Sequence, residues 1–516
     1  MKSYYLIFSI LIIPSVVFLQ PESIILSQYA NEFQGSAITE INQVIWPSLA
    51  YPTTTTNGTK LEIRFRSNLL MEPVEVRIFN HFLDYTVPIM YTNNTESVNE
   101  HISIINLPEN ILPFLYSFEV VYSNGDKLES MNSLLIRKSD SFELDQPYSF
   151  IQISDIHVDG SEQRYQRITK LITEINLINP DFVILTGDFV DGLTTDEYGG
   201  MVTAATQYPQ GINLLKMLKI PILIINGNHD FQTNQWQDGN HLWEHYLGPL
   251  DRLVIFSYNN DTFVGANLLN ENGLTADQLT KIDEAFENST ELRIFFAHTD
   301  YKNQFPSLYA RNDIDLALQG HTHSSSLNTV SETIEVISDN SITLIDSEPG
   351  HYRLFSVSKS KEIETQELEV DKLISSSVWE QRTESTLRIN ISLKNYHDIP
   401  FVNITKRLVI PGDWSENTIT GAVENRLLFN GSHTLLITQF NLNANTESNY
   451  SLILTSSPSL NEWISSTLPI DIVENPTGTY NPANSTSTKV NAGISLLEML
   501  IFTLSSLFLY RTFKRK

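Results

Sequence analysis

Apolar positions fall into three regimes along the 516-residue chain. Between 146 and 370, apolar runs at 150–153 (interrupted only by Gln152), 182–185, 222–225, 294–296 and, more weakly, 316–318 are bounded by Gly, Asp and Asn. Short runs with such punctuation read as strands buried on both faces. Between them the period becomes helical. Ile168, Leu171, Ile172 and Ile175 share one face of a helix over 164–178, stopped by Pro180. A second helix is expected over 201–218. A third, over 275–286, carries Leu279, Ile282 and Phe286 on one side, with Thr275 and Gln278 spaced as a capping box. Strands alternating with helices predict a sheet-centred α/β domain, closed by antiparallel strands at 352–357 and 362–370.

The flanks follow a different rule. From 21 to 145, period-2 segments at 61–65, 74–79, 102–105, 114–121 and 134–136 are separated by turn chemistry such as Asn124-Gly125. From 371 to 474, alternation returns at 387–393, 406–410, 427–429, 433–440 and 449–454. Both flanks are expected to be all-β sandwiches. The C-terminal one carries no motif chemistry and reads as a spacer or partner-binding module.

The ends are apolar. Lys2 precedes an apolar run over 4–19, the pattern of a signal peptide or an uncleaved signal anchor in 1–20. Residues 494–510 are apolar apart from Glu498 and a few hydroxyls, and a basic tail, 511–516, follows. This pattern is expected of a transmembrane helix with a cytoplasmic tail, behind a flexible Asn/Pro/Ser/Thr stalk at 475–493. The alternative is an amphipathic helix lying at the interface. The expected location is the cell membrane, single-pass, with the body outside.

Composition narrows the chemistry. The net charge of −27 argues against a nucleic-acid polymer as partner, because such binding draws on basic patches. Cysteine is absent, so there is neither a disulfide nor thiolate chemistry, and any metal must be held by nitrogen and oxygen. Asn57, Asn93, Asn260, Asn288, Asn390, Asn403, Asn430, Asn449 and Asn484 each open an N-x-S/T triplet, a glycosylation acceptor in exported proteins.

Five motifs end the five apolar runs in order: Asp155-Ile156-His157, Gly187-Asp188, Gly227-Asn228-His229-Asp230, Ala297-His298 and Gly320-His321-Thr322-His323. Ligands of open α/β sheets gather at the carboxyl ends of strands, so the motifs converge on one rim. They bring carboxylates, imidazoles and one amide, donors suited to divalent first-row metals. Alone, Asp155, Asp188 or Asn228 would be a turn or cap residue. Nothing structural requires two imidazoles at i and i+2 after a glycine.

Over residues 146–370 this order resembles the calcineurin-like metallophosphoesterase family, whose pattern is D-x-H, G-D, G-N-H-[DE], a lone H and G-H-x-H. The resemblance implies a metallophosphoesterase core and hydrolysis of a phosphomonoester or phosphodiester by a hydroxide bridging two divalent ions (Mn, Fe or Zn). It implies that Asp188 bridges the ions, that Asp155, His157 and His323 complete one site, and that Asn228, His298 and His321 complete the other. His229 would stabilise the transition state or protonate the leaving oxygen, and Asp230 would orient it. Purple acid phosphatases, which also carry an N-terminal sandwich, have D-x-G and G-D-x-x-Y instead. His157 and Asp191 stand at those positions here, so no tyrosinate-bound iron is expected.

Other signals are weaker. Asp191 is either a support behind the ligands or a turn residue. His241 and His245 have zinc-like i, i+4 spacing but no third ligand. The 231–246 segment, with Trp236 and Trp243, reads as a loop over the site rim. His81, His101, His397 and His433 read as structural, surface or incidental histidines. The competing function is a cell-surface binding or adhesion protein that uses the phosphoesterase domain as a scaffold.

Overall fold

Hydrophobic alternation dominates more of this chain than helical periodicity does, and the architecture follows it. The computed structural model describes residues 42–455 apart from short internal stretches, the longest of them 300–313, together with 470–471. Among the described residues only three α-helices reach twelve residues or more: Glu162–Ile178, Ala204–Leu215 and Ala276–Glu287. Strands carry most of the rest. This corrects the expected fold class, an α/β core flanked by sandwiches with a C-terminal transmembrane helix. The described chain is mainly β, because the flanks add long antiparallel strands and few helices. Among the described residues no helix is long and apolar enough to cross a membrane. The segments expected to be a signal (1–20), stalk (475–493) and membrane helix (494–510) lie outside them.

The first sheet has eight strands in the order Gln43–Trp46, Lys60–Arg66, Glu100–Asn106, Asp84–Asn94, Pro73–Phe79, Leu115–Tyr122, Lys127–Arg137 and Thr53–Thr56. Lys60–Arg66 shows why it forms: Leu61, Ile63 and Phe65 are buried while their neighbours keep solvent contact. They share a core with Val76, Ile78, Phe118 and Val120.

Two sheets make the centre. In one, Ile222–Ile225, Phe182–Thr186 and Tyr148–Ile153 run parallel, and the antiparallel pair His351–Val357 and Ile363–Glu369 closes the edge. In the other, Asp261–Gly265, Arg293–Phe296, Leu316–Gln319 and Thr333–Ile337 are parallel, with Val254–Tyr258 and Ser326–Val330 antiparallel at the two edges. Phe182–Thr186, Ile222–Ile225 and Leu316–Gln319 are buried throughout, as near-continuous apolar runs require. The sheets meet through aromatic rings: Phe263 packs edge-on against Phe150 at 5.5 Å and Phe182 at 4.9 Å, and within the first sheet Phe150 stacks on its cross-strand partner Phe355 at 4.6 Å.

Helix ends match local chemistry. Ser161 caps Glu162–Ile178 by accepting from Arg164 N, and Asn179 ends it in the left-handed region at φ 56°. Thr275 and Gln278 form the reciprocal box: Thr275 N donates to Gln278 Oε1 at 3.0 Å, and Gln278 N donates to Thr275 Oγ1 at 3.2 Å. The expected 201–218 helix is shorter, Ala204–Leu215, because Met201–Val202 pairs as a strand with Thr194–Thr195.

The last described region holds two four-stranded antiparallel sheets, Leu373–Thr383, Thr386–Asn395, Thr446–Thr455, Thr418–Thr420 and Glu424–Phe429, His433–Leu442, Phe401–Pro411, Ile470–Asp471. Their core is continuous with the central one. A buried clasp joins them to the Glu162–Ile178 helix. The Glu174 carboxylate accepts from Leu373 N at 2.7 Å, Asp371 N at 2.9 Å and His397 Nε2 at 2.9 Å. His397, expected to be incidental, is therefore a structural anchor.

Candidate metal centre

Each motif begins where a parallel strand ends, so the side chains meet at the carboxyl edges of both central sheets. The loops are knitted by their own backbones. His157 N donates to Asp188 O at 3.0 Å, Val158 N to Phe189 O at 2.9 Å and Asp191 N to Val158 O at 3.0 Å. His321 N donates to Asp155 Oδ2 at 3.1 Å, tying the last motif to the first.

Five candidate ligands adopt left-handed backbone: Asp155 (φ 52°), His157 (44°), Asp188 (52°), His321 (71°) and His323 (52°). Non-glycine residues there cost about 1–3 kcal/mol each and persist where surrounding structure imposes them, commonly at functional sites. Gly187 (φ 92°) and Gly227 leave room that a side chain would take. A Cβ at Gly187 would lie 2.5 Å from His298 Nδ1, and one at Gly227 would overlap the Asp188 carboxylate.

Two donor groups result, and they share Asp188. Asp155, His157, Asp188 and His323 place ligand atoms within 4.8 Å of one another, as do Asp188, His298 and His321. Asn228 belongs with the second group, its Oδ1 lying 3.1 Å from His298 Nε2. All seven predicted ligand residues are therefore brought together.

The donor set tests whether a cation fits. His298 Nδ1 lies 2.8 Å from Thr186 O and must donate to it, which leaves Nε2 as the lone-pair nitrogen of the neutral ring. That nitrogen faces Asp188 Oδ2 at 3.2 Å and Asn228 Oδ1 at 3.1 Å. In the other group His157 Nε2 and His323 Nε2 lie 3.4 Å apart, and Asp155 Oδ1 is buried without a hydrogen-bond partner. Converging acceptors repel unless a positive charge sits among them. A proton does so in part. Burial opposes charge on His298, but the Asp188 carboxylate overrides it and lifts the imidazole to about 9. Burial likewise opposes the Asp188 charge, yet His298 and His157 hold that carboxyl well below the usual range. The residues fit divalent cations.

Two expectations need correction. Asp230 does not orient His229: it is buried, and its carboxylate accepts from Val190 N at 3.0 Å and Gly227 N at 2.6 Å. It staples the second and third motif loops together. Burial and Asp188 raise its carboxyl to about 7. Asp191 takes the orienting place. Its carbonyl accepts from His229 Nδ1 at 3.0 Å, and its carboxylate Oδ1 lies 3.3 Å from His157 Nδ1. The signal for Asp191 was in the sequence, three residues after Asp188, but a turn role looked equally good. The second correction concerns the 231–246 segment. Residues 242–246 are helical and Trp243 is fully buried in the central core, not spread over the rim. Trp236 and His241 lie outside the described residues.

Donor groups that share one carboxylate thus stand at the carboxyl edge of parallel strands, where they could hold metal ions. Residues 148–325 match the model of the calcineurin-like phosphoesterase family, so the chain carries a calcineurin-like phosphoesterase domain. The chain is 33% identical over 86 residues to a probable cyclic nucleotide phosphodiesterase of Moraxella catarrhalis, covering 16% of this chain and 27% of that protein. It is 26% identical over 214 residues to the DNA double-strand break repair protein Mre11 of Methanococcus maripaludis, covering 37% of this chain and 55% of that one. The match thus spans from about a quarter to about half of these relatives' lengths. A solved archaeal phosphodiesterase is similar over 43% of this chain and 99% of its own, at 13% identity and a TM-score of 0.26.

Proposed function

We propose that this chain is a metal-dependent phosphoester hydrolase. The observation that carries the reading is the pair of donor groups sharing Asp188, with His298 Nε2, Asp188 Oδ2 and Asn228 Oδ1 converging as acceptors. Asp155, His157, Asp188 and His323 would hold one divalent ion, and Asp188, Asn228, His298 and His321 a second. Such a pair supplies acidified water and charge neutralisation for in-line phosphoryl displacement.

The chain's own residues do the rest. Thr186 O fixes the His298 tautomer, so that Nε2 would be the atom offered to a metal. Asp188 Oδ1 accepts from His229 N at 2.8 Å, which sets the carboxylate shared by both donor groups and the His229 imidazole in one register. His229 has Nδ1 committed to Asp191 O, so Nε2 alone is left to hold a proton and release it to a leaving oxygen. The named activity of the Moraxella relative favours a diester as substrate. The intact ligand set counts against the scaffold reading.

On sequence grounds we place the enzyme outside the cell. The 4–19 apolar run behind Lys2 supports this, as do Asn390, Asn403 and Asn449, triplet asparagines exposed on the C-terminal sheets. The test of activity is turnover of bis-p-nitrophenyl phosphate and p-nitrophenyl phosphate by the Mn-loaded chain, with His229→Ala as control. Hydrolysis lost in that variant with metal content retained supports the assignment. Equal hydrolysis by both proteins overturns the role of His229.

A further inference from the structure

The link between the two outermost strands of the eight-stranded sheet does not stay with that sheet. Residues 47–52 join Gln43–Trp46 to Thr53–Thr56, yet Leu49, Ala50 and Tyr51 are buried in the core of the central domain. The sheet's own core, with Ile63, Phe65, Val76 and Phe118, is a separate cluster. The link is held at its base by Ser130 Oγ, which donates to Pro47 O at 2.8 Å. It is closed on itself by Ser48 N to Tyr51 O and Tyr51 N to Ser48 O, each 3.1 Å. Ala50 O accepts from Ile224 N at 3.3 Å, so the link covers part of Ile222–Ile225, the edge strand of its sheet. That strand leads directly into Asn226 and the Gly227-Asn228-His229-Asp230 loop.

Directed hydrogen bonds run from the link to this loop. Asn226 N donates to Asn267 Oδ1 at 2.9 Å, and both residues are buried. A backbone N–H can only donate, so it holds the Asn267 amide with its oxygen toward Asn226 and its nitrogen toward the Tyr51 hydroxyl, 2.8 Å away. The amide nitrogen is a donor too. The hydroxyl therefore accepts from it and sends its own proton to Pro249 O at 2.9 Å.

Asn267 stands where both central sheets meet the metal centre. It follows the Asp261–Gly265 strand, and Ala266 N donates to Phe296 O at 3.0 Å, at the end of the strand that leads to His298. One side-chain amide thus sets the start of the Asn228 loop relative to the strand that carries His298. The loop has little slack at this point. A Cβ at Gly227 would overlap the Asp188 carboxylate, and Gly227 N donates to Asp230 Oδ2 at 2.6 Å. A shift at Asn226 is therefore passed on to Asn228, whose Oδ1 lies 3.1 Å from His298 Nε2.

We propose that Tyr51 is a positioning residue of the metal centre: through Asn267 and Asn226 its hydroxyl sets the register of Asn228, so that the second donor group is complete only with the first β domain docked. The inference rests on the reading of the motifs as metal-holding. The Tyr51 ring packs in the core whether or not it carries a hydroxyl, so the hydroxyl separates positioning from packing.

The test compares the full chain with Tyr51→Phe, Asn267→Leu, the double variant and Ser48→Ala. Ser48→Ala removes the Ser48 Oγ contact to Leu247 O at the same junction, 3.4 Å, and leaves the relay alone. Hydrogen exchange over residues 222–230, measured in EDTA, should be faster in Tyr51→Phe and in Asn267→Leu than in wild type, and unchanged in Ser48→Ala. In calorimetric Mn titration of Tyr51→Phe the second ion should bind about tenfold more weakly or worse, the first within about twofold of wild type. The double variant should be no weaker than Asn267→Leu, because residues that act along one path do not add. Exchange at the wild-type rate in Tyr51→Phe, or additive losses in the double variant, overturns the relay. Equal weakening of both ions, or the same weakening in Ser48→Ala, overturns it in favour of a general loosening of the junction. A wild-type chain that binds no metal contradicts the hydrolase reading instead, and the exchange rates still decide whether Tyr51 holds the loop.

Discussion

His229 Nδ1 donates to the backbone carbonyl of Asp191 at 3.0 Å, while the carboxylate of the same Asp191 lies 3.3 Å from His157 Nδ1. One residue thus addresses two imidazoles with two different groups. Only one of those groups can be removed by substitution.

Asp191→Ala therefore separates them. The carbonyl contact to His229 survives, and His157 loses the carboxylate behind its Nδ1. Partners of this kind are worth about 10–100-fold in metal affinity. We expect Mn affinity to fall within that range and turnover at saturating Mn to fall much less. Mn titration by calorimetry with a parallel turnover assay checks this, and unchanged affinity would reduce Asp191 to a turn residue.

Asp230→Ala should act on stability. Its carboxylate is the acceptor for Gly227 N and Val190 N, both buried with it. Leaving two buried amide donors unsatisfied costs about 1–3 kcal/mol each. Urea unfolding should show a loss in that range, summed over the two. A loss of turnover with no loss of stability would restore the orienting role that the sequence suggested.

The metal-free chain should be pH-sensitive through His298. Its folded pKa, about 9, stands above the ordinary histidine value of 6.5. The stability this supplies is complete below pH 6.5 and is lost as pH rises through 9. Metal binding must displace that proton, so Mn affinity should climb about tenfold per pH unit up to about 9 and then level off. Thermal melts in EDTA and in Mn across pH 6–10 read both effects. A metal-free melting temperature that is flat over this range would contradict the His298–Asp188 charge pairing.

Gly187→Ala should empty the second donor group without replacing a ligand. The added Cβ meets the His298 ring in a backbone conformation that L residues avoid. We expect metal stoichiometry to drop, which plasma emission spectroscopy would show; two ions per chain in the variant would contradict it.

The ligand set was legible because metal chemistry restricts residue types, and the strand-end spacing from Asp155 to His323 kept them in order. The roles of Asp191 and Asp230 were not legible. Which acceptor reaches His229 is settled by the backbone path of two loops, and local sequence does not encode that path. Trp243 looked like a rim residue because it sits in a polar stretch, and only tertiary packing takes it into the core. His397 had no local signal at all, since its partner Glu174 is 223 positions away. The strand-rich flanks were legible from their alternation, but the balance of the described chain is mainly β because the long antiparallel strands outweigh three helices.

The most direct test of the central claim is metal content and turnover measured together on the wild-type chain and on Asp188→Asn. The account predicts two metal ions per wild-type chain, fewer in the variant, and phosphoester hydrolysis lost with them. Full hydrolysis in Asp188→Asn, or a wild-type chain that takes up no Mn, Zn or Fe at all, would contradict it.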